Sequence, residues 1–353
     1  MRYSPLGAAH RVPFLVWLAA AVVLPACNDE ISAPPAATLA PLLDISTTNP
    51  GTWIERARLL GCCGRYAMSG AVIRNSAGQD IMYVVGGFNE VTRLRRMDAY
   101  NVATNTWTQR ADLPEKLAYS TAAAIGGKLY VVGGATEQVG SSNKLYVYTP
   151  ATNSWTRRAD PPVPMFSGLA VVISDRLYVL TSMEEQTQLL YRYNPVTNKW
   201  VRLADPPRSH WHGAGSVING KLYVAWGASI TVDVYDPVTN LWKLKHIMER
   251  DDWIPYFPYG RNELRRAQAV TFNNQLYLIG GMYRNALGNW DISKFVFAYN
   301  PVSDQWSKKA DLLTPRVWHV VGKGKNSAGA LRIIATGGAN NSALTDRTEA
   351  FKP

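Results

Sequence analysis

Aromatic, imidazole and guanidinium side chains recur at one kind of place in this chain, just ahead of short apolar runs. They are Tyr66, Tyr119, Phe166 with Ser167, Trp211 with His212, Arg266, and Trp318 with His319. Flat ring faces beside imidazole and guanidinium donors suit a sugar or a ligand that bears a carboxylate. The same groups can also do acid–base work. Arg266, His212, His319 and Glu184 or Glu185 would supply an acid, a base and a carboxylate clamp. Nothing in their spacing selects that second use. Asp112, Asp160, Asp205 and Asp311, in contrast, recur at a fixed distance after a tryptophan and read as turn braces. Groups shared by many repeats belong to the scaffold, and those that differ are free to specialise.

Sulfur offers little. Cys62 and Cys63 are adjacent, in Gly61-Cys62-Cys63-Gly64. Consecutive Cα atoms lie about 3.8 Å apart, below the usual disulfide range of roughly 4.4–6.8 Å. A vicinal disulfide there is strained but permitted by the flanking glycines, and two free buried thiols are the alternative. A second pair of soft ligands is missing, so neither a metal nor another cofactor is expected.

Gathering residues so distant in sequence falls to a repeat of roughly 50 residues. YNVATNTW begins at Tyr100, YTPATNSW at Tyr148, YNPVTNKW at Tyr193, YDPVTNLW at Tyr235 and YNPVSDQW at Tyr299. Phe351-Lys352-Pro353 starts the phrase again, and the missing tryptophan stands in Asn49-Pro50-Gly51-Thr52-Trp53. Upstream of each phrase lie two short apolar runs, the second closing on small residues such as Gly86-Gly87 or Gly280-Gly281. Thr181-Ser182 and Gly227-Ala228 stand where di-glycine is expected. Each unit therefore reads as four short strands. Pro and Asn suit the hairpin turn, and Trp is bulky enough to fill the wedge between neighbouring units.

The di-glycine after an apolar strand, followed by Tyr-x-Pro-x-Thr-Asn-x-Trp, resembles the Kelch repeat over residues 52–353. That resemblance implies an all-β, six-bladed Kelch-type β-propeller with four-stranded blades around a central channel. Its last blade would be closed by the N-terminal strand. The resemblance also implies that the innermost strands start at one channel mouth. Tyr66, Tyr119, His212, Arg266, Trp318 and His319 then form a ligand site there, or merely plug the channel. The period breaks after Trp242, where HIMERDDWIPYFPYGRNELR intervenes. Loops beyond about a dozen residues are often functional. Trp253, Tyr256, Phe257 and Tyr259 would form a lid over that mouth or pack as a mini-core of their own.

Proteins similar to this fold class include a copper oxidase of galactose and a sialic acid mutarotase. The copper site needs a tyrosine cross-linked to cysteine, which the vicinal pair does not suit. The expected function is a scaffold that binds a glycan or protein partner. A mutarotase-like, sugar-processing enzyme is the alternative.

Residues 1–26 have the layout of a secretory signal, with Arg2 and Arg11 ahead of an apolar stretch too short to span a bilayer. Leu24-Pro25-Ala26-Cys27 resembles a bacterial lipobox, although Pro25 is an unusual occupant. Cys27 is the expected lipidation point, and an ordinary signal peptide cut nearby is the alternative. Residues 27–50, rich in Ala, Pro and Thr, are expected to be a disordered tether, with the propeller at 51–353. The expected form is a monomer in the bacterial cell envelope, held at the outer membrane by its lipid alone. The net charge is +11. Such a balance attracts anionic partners such as acidic glycans. Arg93, Arg95 and Arg96 form one basic cluster, read as a solvated face, and Arg261, Arg265 and Arg266 form another. Nucleic acid is not an expected partner, for no basic helix or RNA-binding signature is present.

Overall fold

The structure, a computed structural model, describes residues 50–353 apart from 62–63, 138–139, 182–187, 228–229, 248–263 and 286. Cys27, Cys62, Cys63, Glu184 and Glu185, with the candidate lid residues Trp253, Tyr256, Phe257 and Tyr259, lie outside the described residues.

Among the described residues the chain forms six four-stranded antiparallel sheets. The first runs Ser69–Arg74, Asp80–Val85, Met97–Asn101, Thr106–Arg110; the second Thr121–Ile125, Lys128–Val132, Leu145–Thr149, Ser154–Arg157. The third is Leu169–Ile173, Arg176–Leu180, Leu190–Asn194, Lys199–Arg202; the fourth Ala214–Ile218, Lys221–Ala225, Thr231–Asp236, Leu241–Ile247. The fifth is Gln268–Phe272, Gln275–Ile279, Val296–Asn300, Gln305–Lys309. The sixth joins both ends of the described chain, ordering Val320–Lys325, Leu331–Thr336, Thr348–Lys352 and Thr52–Arg56. Each first strand contacts the first strands of the sheets before and after it, and that of the sixth contacts that of the first.

Burial follows strand by strand from this stacking. A second strand has a neighbouring sheet on each face, so its side chains are buried without alternation, as in Asp80–Val85 and Leu331–Thr336. Outer strands meet solvent, and in Thr106–Arg110 the phrase tryptophan is half-buried among polar neighbours.

The repeated phrase is a latch between sheets. Asn105, Asn153, Asn198 and Asn240 adopt φ of +59°, +49°, +56° and +57°. Asn and Asp are the ordinary side chains that tolerate this left-handed region. Each asparagine accepts a bond from the tyrosine hydroxyl of its own phrase at 2.6–2.8 Å. It also accepts the N–H of Ala57, Ala111, Ala159 or Ala204 from the preceding sheet's exit, at 2.8–3.1 Å. The phrase tryptophan donates its indole N–H to the same alanine's carbonyl at 2.8 Å. Trp53 repeats the indole bond on Ala310 at 2.9 Å, and its ring lies 5.3 Å from Phe351. Asp160 and Asp205 pair with Arg157 and Arg202, three residues earlier, at 2.5 Å, and Asp311 pairs with Lys308 in the same way.

The junction between the fourth and fifth sheets is built differently. His246, not alanine, stands four residues after Trp242. The tryptophan of the next phrase, Trp306, stacks on Trp226 with centroids 5.2 Å apart and planes within 3°. Trp226 and Gly227 have φ of +59° and +93°, matching +65° and +96° at Gly86-Gly87. The pair equivalent to di-glycine is therefore Trp226-Gly227, one residue earlier than the expected Gly227-Ala228. An indole in left-handed backbone costs about 1–2 kcal/mol. The stack with Trp306 is a contact that a glycine at this position could not make.

Trp53→Ala removes the bond to Ala310 and the contact with Phe351. It should destabilise the protein by about 3–5 kcal/mol, seen as a lower urea midpoint with unchanged slope. An unshifted midpoint would show that the N-terminal strand contributes nothing to the fold.

Candidate functional site

Six non-glycine residues, one ahead of each first strand, share a left-handed backbone. They are Ala67, Tyr119, Ser167, His212, Arg266 and Trp318, with φ of +55°, +58°, +50°, +60°, +59° and +53°. Backbone hydrogen bonds between these residues pay for the conformation. Ala67 donates to Trp318 at 3.0 Å, and Tyr119 to Ala67, Ser167 to Tyr119 and Arg266 to His212 at 2.8 Å. The second glycine of each di-glycine packs against this turn. At Gly281 an added Cβ would lie 2.7 Å from the Arg265 carbonyl and 2.8 Å from the Ala267 nitrogen. Only glycine lets that loop approach closely enough to frame the site.

The expected site residues divide according to this register. Tyr119, His212, Arg266 and Trp318 line a cavity of about 260 Å³ with Phe166, Ser167 and Trp211. The same four also border a 690 Å³ channel lined by the first strands of all six sheets. Tyr66 sits one residue early and lines neither space, but its ring packs 5.4 Å from Trp318 and 6.3 Å from Tyr119. His319 sits one residue late and is 1% exposed, packed beneath the di-glycine loops. Burial holds its imidazole far below the ordinary range, with Arg316 adding to the effect. It is thus a neutral core histidine, set apart from both spaces. A sequence reading that pairs Trp318 with His319 does not separate them, because the left-handed turn decides which one faces inward.

The remaining four form a compact polar and aromatic cluster. The Arg266 guanidinium lies over the Trp318 ring, 4.6 Å from its centroid. Its Nη2 donates to His212 Nε2 at 3.2 Å, and its Nη1 approaches Met282 Sδ at 3.8 Å. Tyr119 packs at a tilt against Phe166, with centroids 4.9 Å apart. Burial, then the Arg266 and Arg265 charges, hold His212 down at about 3, so its imidazole is neutral. Burial, followed by Tyr66, pushes the Tyr119 hydroxyl up, and it stays protonated.

Arg266 differs from the buried arginines elsewhere. Arg65 donates to Asp98 at 2.5 Å, and Arg316 is paired with Glu349. Each also donates to backbone carbonyls behind a di-glycine, such as Arg316 to Gly337 at 2.9 Å. Arg266 has no carboxylate partner among the described residues. A half-buried guanidinium without an acid is costly to desolvate, and here it faces an accessible cavity. The geometry can hold an anion in the guanidinium plane while an aromatic wall stacks the rest of a ligand. No group of three or more His, Cys, Asp or Glu able to hold a metal occurs among the described residues.

The sequence profile of the KLHDC2/KLHL20/DRC7 Kelch-repeats domain matches residues 61–227 and 119–338. Human Kelch-like protein 35 is 38% identical over 86 residues, 24% of this chain and 14% of that protein. Kelch repeat protein M-T8 of myxoma virus (strain Lausanne) is 36% identical over 55 residues, 16% of this chain and 11% of that protein. The matched segments thus span only a small part of these curated relatives. A solved structure titled "Structure of YjhT" superposes with a TM-score of 0.65, covering 81% of this chain and 94% of its own, at 17% identity. That is a likeness of fold.

The depressed His212 pKa has a sign that can be checked. The unfolded chain takes up this proton near 6.5, the folded one at about 3. The contribution of His212 to stability is therefore full above pH 6.5 and is lost as pH falls from there towards 3. The His212 ring resonances should stay constant from pH 8 to 5 by NMR, and a midpoint near 6.5 would mean that the ring is solvated.

Proposed function

Since this chain belongs to the Kelch-repeat family, we propose that it is a ligand-binding scaffold, its six sheets the blades of one closed propeller and its site at the channel mouth. Kelch-repeat propellers are generally interaction scaffolds, which fits a protein partner, and the aromatic wall fits a glycan equally. The observation that carries this reading is Arg266, a half-buried cation with no carboxylate partner among the described residues, stacked on Trp318 at the edge of a cavity. The ligand presents a carboxylate or similar anion to Arg266 and lays an apolar face against Trp318 and Tyr119. His212, neutral beside the guanidinium, accepts one of its N–H groups and fixes its plane.

The same proposal places the molecule in the bacterial cell envelope. Residues 1–26 act as a lipoprotein-type signal, Cys27 takes the lipid, and residues 27–50 tether the binding module. The support is the charged start, the short apolar stretch and the small residue before Cys27. Cys27→Ser should shift the protein from the membrane to the soluble fraction or block its processing. Unchanged membrane partitioning would refute the anchor.

An array of acidic glycans and acidic peptides, probed with the soluble 50–353 module, tests the site. Loss of a charge-assisted contact is worth about 1.5–3 kcal/mol, so Arg266→Ala should weaken an anionic ligand about 10- to 100-fold with the melting temperature nearly unchanged. Trp318→Ala should weaken it by removing a stacking face. Binding that survives both changes would move the site to the outer sheet edges.

A further inference from the structure

The channel has a second end. Its lining strands all start at the mouth, so their last residues lie at the opposite end, on the order of 20 Å away at about 3.3 Å per residue. In four sheets that strand has five residues and closes on an apolar one, Ile125, Ile173, Ile218 or Phe272. In the first and sixth sheets it has six residues and closes on Arg74 and Lys325. Those two strands are in contact across the joined chain ends. Arg74, Lys323 and Lys325 are exposed and line the 690 Å³ channel. Lys323 Nζ donates to the Thr271 carbonyl of the fifth sheet at 2.8 Å, which fixes the ammonium and leaves it two further N–H groups. Asp80 is the one acid that lines the channel among the described residues. Its Oδ2 accepts the Lys325 backbone N–H at 2.8 Å. Gly324 permits that approach, since an added Cβ there would lie 2.9 Å from Asp80 Cβ. Arg74, Lys323 and Lys325 form no ion pair with a carboxylate among the described residues.

Cations that the other four repeats lack, gathered on two adjacent strands around one space, mark a position released from the scaffold. Three cations against one carboxylate leave the charge balance for a dianion. The compact lysine ammonium is a point charge suited to phosphate, and arginine adds planar paired donors. We propose that the channel end away from the mouth binds a phosphate group, held among Lys323, Lys325 and Arg74. Inorganic phosphate and a lipid headgroup share this chemistry, and the test separates them. Asp80 faces the same space and opposes the anion, so its charge limits the affinity. This site does not depend on the mouth reading, because a small ligand cannot span the strand length between Arg266 and Lys323.

Inorganic phosphate, titrated into the intact protein by calorimetry, should bind saturably with a millimolar or tighter dissociation constant. Lys323→Gln and Arg74→Gln, both on exposed side chains, should each weaken it about tenfold at an unchanged melting temperature. Asp80→Asn, which keeps an oxygen for the Lys325 N–H, should tighten it. Arg266→Ala should leave it unchanged. If Arg266→Ala abolishes phosphate binding, the anion sits at the mouth and the second site is wrong. If binding survives both Lys323→Gln and Arg74→Gln, the proposal falls. If free phosphate does not bind, the second arm compares vesicles of phosphatidylcholine with and without phosphatidylglycerol. A preference for the phosphatidylglycerol vesicles that Lys323→Gln removes assigns the site to a lipid headgroup. No such preference, or one that Lys323→Gln leaves intact, overturns the proposal.

Discussion

Neighbouring sheets are tied by one recurring bond pattern, and the site depends on it. An indole N–H reaches the carbonyl of an alanine in the preceding sheet, and an asparagine returns the bond to that alanine's N–H. Both backbone polar groups of that alanine are satisfied from the next sheet. The pattern sets the angle between sheets from outside. The backbone bonds among Trp318, Ala67, Tyr119 and Ser167 hold them together from inside. Cluster geometry at the mouth is therefore a consequence of contacts made at the far edge of each sheet.

The seam between the fourth and fifth sheets shows how much freedom that pattern allows. His246 replaces alanine where the long insertion departs, and the Trp226–Trp306 stack takes over. His246 lies 5.7 Å from Tyr299 and its Nδ1 is 3.3 Å from Asp304, the acid that stands for asparagine in that phrase. Aromatic packing joins a polar contact at this seam, and the fifth sheet keeps its place. The site's most specialised residues, His212, Arg265 and Arg266, border this same seam. A junction released from the repeat is free to carry residues that the repeat would not accept.

Arginine serves two opposite purposes in this molecule. Arg65 and Arg316 are buried with acids and backbone carbonyls and act as braces behind the di-glycine loops. His210 does comparable work in the fourth sheet, bridging Asp233 and the Trp226 carbonyl at 2.8 and 3.0 Å. Arg266 has the same chemistry but meets no acid among the described residues, and its guanidinium borders a cavity instead of bracing a loop.

The all-β repeat, its four strands per unit and the split last unit were legible in the spacing of Tyr, Asn and Trp. Those residues satisfy a local rule: Asn takes left-handed backbone cheaply and Trp fills a wedge, in the same way at Asn105, Asn153, Asn198 and Asn240. The basic and aromatic character of the mouth was legible too, since it is a matter of residue type. Which of two adjacent residues faces inward was not. Tyr66, His319 and the Trp226-Gly227 pair were each misread by one position, because a left-handed φ on a non-glycine residue leaves no mark in composition. Such a conformation is imposed by hydrogen bonds from a neighbouring sheet some fifty residues away. For the same reason the sequence shows that arginines are present, and only the tertiary structure decides which of them meets a carboxylate and which is left facing a cavity.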